Sequence, residues 1–177
     1  FPTDALPIWN GGHTSDAVRT APWEAGAPLV YLSEDIALNS LWFETEANLS
    51  LSRFGVDADT VVAPWGVLEG KGTVTARQQL IIGHYVEPCF CLEGGIYMYR
   101  GATLRNLGFG LIHAGSGVFL DGTIENEGVL QMHGVILSYS NPEERFKVRG
   151  RINNSGLFEF SGGLGDRCEP DYGVDFQ

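Results

Sequence analysis

Ala102-Thr103-Leu104-Arg105-Asn106-Leu107-Gly108, Gly122-Thr123-Ile124-Glu125-Asn126-Glu127-Gly128 and Gly150-Arg151-Ile152-Asn153-Asn154-Ser155-Gly156 align without gaps. Their consensus is small-x-[Leu/Ile]-x-Asn-x-Gly. Alternating apolar positions follow, Leu130 and Met132 after the second copy, Phe158 and Phe160 after the third. Asn106 to Asn126 is a step of 20 residues, and Asn126 to Asn154 is 28, one period plus an insertion. The polar turn Asn141-Pro142-Glu143-Glu144-Arg145 is the natural place for the surplus. A degenerate copy precedes them, Gly66-Val67-Leu68-Glu69-Gly70-Lys71-Gly72, followed by Val74 and carrying Gly70 in the place of Asn. Gly70 to Asn106 is 36, close to two periods. A still earlier copy begins at Ala47-Asn48-Leu49, 19 residues before Leu68 when counted from Leu49.

Short period-two strands repeating near every 20 residues, with Asn and Gly at fixed bends, predict a single-domain all-β fold, a parallel β-solenoid or β-helix. Asn106, Gly108, Asn126, Gly128, Asn154 and Gly156 are its expected corners, because Gly and Asn tolerate left-handed backbone. Stacked Asn side chains at one corner would form an amide ladder. Ile36 and Leu38, Leu41 and Phe43, then Ala47, Leu49 and Leu51 carry the same alternation upstream. A helix from Ser33 to Glu46 competes, but Leu49 and Leu51 continue the strand pattern directly. Residues 29–163 form the expected solenoid, with six or seven coils. A β-sandwich is the alternative fold, and it does not predict the 20-residue recurrence.

The remaining segments differ in composition. Residues 1–28 hold Pro2, Pro7, Pro22 and Pro28 with Trp9 and Trp23, and read as an extended arm whose aromatics dock on the chain's own body or on a neighbouring subunit. Residues 164–177 read as an acidic tail or cap. With 177 residues the chain fits one domain. Its 24 glycines and 44% hydrophobic content disfavour both disorder and a helix bundle, and no apolar run approaches a membrane span. A net charge of −11 repels phosphate backbones and anionic membranes, so nucleic acid and membrane insertion are not expected.

The chain starts at Phe1 rather than Met, which fits a processed, secreted chain at a cell surface or outside the cell. Asn48-Leu49-Ser50 and Asn153-Asn154-Ser155 are sequons, making Asn48 and Asn153 candidate glycosylation sites. Cys89 and Cys91 are two apart and bridge each other poorly. A disulfide from one of them to Cys168 would pin the C-terminal tail, and three separate thiols is the alternative.

Signals of chemistry are sparse. His113 and His133 each follow a motif Asn by seven residues and should occupy equivalent outward positions on successive coils. The pairs Glu44/Glu46 and Asp57/Asp59 have same-face strand spacing, which is compatible with the wider glycosidase separation but commoner on a solvated face. Arg100 and Arg105 lack the Asp cluster that accompanies a polysaccharide lyase base. The acidic, turn-rich stretch Asp166-Arg167-Cys168-Glu169-Pro170-Asp171 is a candidate for calcium, but it lacks the spacing of a known calcium loop. No cofactor is expected otherwise, since no phosphate cradle or dinucleotide fingerprint is present. Thr103 and Thr123 align, but Arg151 takes the next place, too short a rank for an ice-binding face.

Ile124-Glu125-Asn126-Glu127-Gly128-Val129-Leu130 and Ile152-Asn153-Asn154-Ser155-Gly156-Leu157-Phe158-Glu159-Phe160 resemble the β-helix domains of the fungal hyphally regulated cell-wall adhesin family. Leu68-Glu69-Gly70-Lys71-Gly72-Thr73-Val74 is similar to repeats of bacterial autotransporter passengers. The likeness covers about residues 36–163 on a permissive motif, and the Ser/Thr-rich stalk of the fungal proteins is missing. It implies a surface-located β-helix. The resulting expectation is a non-enzymatic structural subunit of an extracellular assembly or cell-surface layer, forming a homo-oligomer or polymer. An adhesin-like module binding carbohydrate or a host surface is the first alternative, and a polysaccharide-degrading enzyme the second.

Overall fold

The computed structural model describes residues 17–20, 30–43, 47–83, 95–113, 117–120, 122–133, 135–137 and 151–160. Within them the protein is all-β, and every strand pairing is parallel. The antiparallel sheets of a sandwich are not seen among them.

The first sheet stacks β1 (Ala17–Thr20), β3 (Ile36–Phe43), β5 (Val56–Ala63) and β7 (Thr73–Ile82). Beyond β7 each long strand becomes two short ones. These are β9 (Thr103–Asn106) with β10 (Phe109–Ile112), β12 (Thr123–Asn126) with β13 (Val129–Met132), and β15 (Arg151–Asn154) with β16 (Leu157–Phe160). The second sheet stacks β2 (Val30–Tyr31), β4 (Ala47–Ser52), β6 (Trp65–Gly70), β8 (Gly95–Tyr99), β11 (Gly117–Leu120) and β14 (Val135–Leu137). From β2 onward the chain passes back and forth between the sheets, each visit adding a strand parallel to the last. Ala17–Thr20, inside the segment read as an arm, is itself a strand beside β3.

Period-two alternation builds the core, since it turns every second side chain to the inner face. Val56, Val74, Leu104 and Ile124 form one buried column, and Phe43, Ala63, Ile82, Ile112 and Met132 another. Leu49, Leu68 and Met98 face them from the second sheet. Volumes are traded across the gap. A Cβ on Gly66 would lie 2.7 Å from Phe43 Cδ1, so the phenyl ring fills space that the glycine leaves.

The register confirms one part of the repeat and corrects another. Asn106 pairs with Asn126 and Asn126 with Asn154, as the alignment requires. Gly70, however, pairs with Ser52 in the second sheet, while the residue opposite Asn106 is Ala76. The copies at 47–49 and 66–72 do stack on each other, Leu49 opposite Leu68, but in the other sheet from the Asn motifs. Thr73 and Thr103 are therefore one step apart in the sheet although 30 positions apart in sequence. The extra length between Asn126 and Asn154 follows β14, since β11 runs into β12 almost at once whereas β14 and β15 are separated by residues 138–150, which lie outside the described region.

Glycine at the motif has a different cause from the expected left-handed backbone. Positive φ among the described residues occurs at Gly70, Gly83, Gly95, Gly101, Ser52 and Arg100, not at the motif positions. A Cβ on Gly128 would sit 2.0 Å from Gly108 O, and one on Gly156 equally 2.0 Å from Gly128 O. Close stacking of one bend on the next is what excludes a side chain there.

Candidate functional site

Each Asn of the motif ends a short strand with its side chain turned inward, and Asn106 and Asn126 are completely buried. Asn106 Nδ2 donates to Asn126 Oδ1 at 2.8 Å, and Asn126 Nδ2 donates to Asn154 Oδ1 at 2.6 Å. The same nitrogens reach the carbonyls of Val129 and Leu157 on the next level, at 2.9 and 3.0 Å. The backbone joins in, Glu127 N and Gly128 N both donating to Asn106 O. The ladder starts at Asn106, because Ala76 below it has no donor, and Asn106 Oδ1 is left buried without a partner. These residues hold the bend, and their chemistry is structural.

The outer face of the first sheet is charged. Arg77 sits in a bulge of β7, where Ala58 pairs with Ala76 but Thr60 pairs with Gln79. Its guanidinium donates to Asp59 Oδ1 at 2.8 Å and Asp57 Oδ2 at 3.2 Å. The Asp57/Asp59 pair is thus on one face, as its spacing requires, but shares one cation. One level on, Arg105 Nε donates to Glu127 Oε1 at 2.8 Å and lies 3.9 Å from Glu125. A shallow hollow of about 280 Å3 lies among Glu125, Glu127, Asn153, Asn154 and Ser155. Another, of about 310 Å3, runs from Asp35 and Asp57 across Thr73 and Thr75 to Arg105 and Leu107.

The outer face of the second sheet is aromatic. Ile96 and Met98 of β8 are buried, so Tyr97 and Tyr99 turn outward. Their ring centroids are 6.3 Å apart with planes 12° from parallel, and Trp65 of β6 stands 6.1 Å from Tyr97. Tyr99 is 44% exposed. Trp65 pairs with Gly95, and Gly95 with Gly117, so the positions beside Trp65 along its row carry no side chain. Glu69 pairs with Tyr99 and lies 3.6 Å from Arg100. Reading the sequence missed this row, because its members come from strands 30 residues apart and only the register joins them.

His113 and His133 do follow equivalent strands, their amides donating to Ile82 O and Ile112 O, and both reach the surface, His133 more than His113. Thr73 joins Thr103 and Thr123 in one row, a third member that the misplaced Gly66–Gly72 copy concealed. Asn153 is exposed, whereas Asn48 is partly covered in mid-strand with Leu49 and Ser50 buried beside it. Cys89, Cys91, Cys168, Trp9, Trp23, Glu44, Glu46 and the tail segment Asp166–Asp171 lie outside the described residues. Among the described residues no three His, Cys, Asp or Glu side chains converge as metal ligands, and no helix is long and apolar enough to cross a membrane.

Comparison with protein-family models, curated proteins and solved structures finds no match.

Proposed function

We propose that this chain is a parallel β-solenoid serving as a non-enzymatic structural subunit of an extracellular assembly or cell-surface layer, and that copies join through the β15/β16 end of the strand stack. The observation that carries this reading is the state of that end. Among the described strands, β15 and β16 pair on one side only. Phe160 continues the buried column of Ile112 and Met132, yet is 55% exposed. Phe158 and Ile152 are half-buried where their counterparts Leu130 and Ile124 are fully buried. A parallel strand edge with apolar inward positions is a template for another strand layer of the same kind. A second copy supplies such a layer.

The resemblance to cell-wall β-helix domains supports surface location, and the acidic surface suits a soluble extracellular subunit. The Arg77 clamp on Asp57 and Asp59 favours structure over glycoside hydrolysis, which needs one carboxyl as acid and the other as nucleophile or base. Sedimentation velocity over a concentration series tests the proposal. The parent chain should show reversible self-association, and Phe160→Lys should be monomeric with an unchanged circular dichroism spectrum. A parent that stays monomeric throughout, or a variant that associates as strongly, overturns it.

A further inference from the structure

The outer face of the second sheet carries a row of rings, and we infer that it binds a neutral polysaccharide through the sugar faces. Trp65, Tyr97 and Tyr99 are spaced 6.1 and 6.3 Å between ring centroids. That is the scale on which successive pyranose rings of an extended chain recur. The C–H face of a pyranose is apolar and flat, and aromatic side chains offer matching area at low conformational cost.

Polar groups stand at one end of the row, where hydroxyls need them. The Glu69 carboxylate accepts hydrogen bonds and the Arg100 guanidinium donates them, 3.6 Å apart beside Tyr99. Arg100 holds a left-handed backbone, φ 58°, which places its side chain at the turn closing β8. Charge selects among glycans. A chain of net charge −11 repels uronate or sulfated polymers and leaves neutral ones.

Isothermal titration with cellohexaose, laminarihexaose, chitohexaose and mannohexaose, and with a heparin hexasaccharide as anionic control, tests the assignment. At least one neutral hexasaccharide should bind saturably and heparin should not. Tyr99→Ala should weaken binding by about tenfold or more, as loss of an aromatic anchor does, and Tyr99→Phe should retain it. Tyr99 is exposed enough that both variants should keep the parent melting temperature. Phe160→Lys should bind like the parent, which separates this site from the assembly contact. Absence of binding to all four neutral probes, binding of heparin instead, or equal binding by Tyr99→Ala and Trp65→Ala overturns the inference.

Discussion

Asn126 occupies a position where a polar side chain is tolerable only because every part of it is used. It accepts from Asn106 and donates to Asn154 and to Leu157 O while fully buried. Replacing it by Ala removes these bonds and leaves the buried Asn106 amide with only backbone acceptors such as Val129 O. Since an unsatisfied buried group costs about 1–3 kcal/mol beyond the lost bond, Asn126→Ala should cost about 3 kcal/mol, read by urea unfolding. Gly128→Ala should cost at least as much, about 3 kcal/mol or more, because its Cβ meets a backbone oxygen that no rotamer change can move. If Gly128→Ala melted like the parent, the close-approach explanation would be wrong.

Strands in this protein are matched by volume and by register, not by surface ion pairs. Gly66→Ala should destabilise by about 1–3 kcal/mol through overlap with Phe43. In a Phe43→Leu background the same change should cost less, a coupling of about 1 kcal/mol in a double-mutant cycle. Arg77→Ala should matter much less, under about 1 kcal/mol, because Arg77 and Asp57 are well exposed and water screens the pair. A larger loss would mean that the β7 bulge depends on the clamp rather than on the strand ladder. The bulge could not be read from sequence. The buried residues of β7, Val74, Ala76, Leu80 and Ile82, keep one parity as in a regular strand, and only the step from Ala58–Ala76 to Thr60–Gln79 shows the extra residue.

At the scale of the whole molecule, stability should grade along the stack. β5 and β7 are flanked by strands on both sides and bury Val61, Ala63, Leu80 and Ile82, whereas β15 and β16 present Leu157 and Phe160 at 52% and 55% exposure. Hydrogen–deuterium exchange of the monomeric Phe160→Lys variant should show residues 151–160 exchanging first and the β5–β7 core last. Uniform protection across the strands would mean that the stack opens as a single unit. All strand pairs here join segments 18 or more residues apart, so folding should be slow for a chain of this size.

The sequence by itself determined that the protein is built of parallel, stacked strands, and it located Asn106, Asn126 and Asn154 on one line. Identical short segments in tandem bury the same face by the same pairing, so the repeat states its own register. Tertiary structure decided what the repeat could not state. Both sheets carry the same period-two alternation, so nothing local shows that residues 66–72 belong to the second sheet and residues 73–76 to the first. That choice depends on the lengths of the connections and on which columns fill each other, such as Phe43 over Gly66. The cause of the motif glycines and the aromatic row of Trp65, Tyr97 and Tyr99 are likewise properties of neighbouring levels. They appear only when strands distant in sequence are brought to the spacing of a sheet, about 4.8 Å.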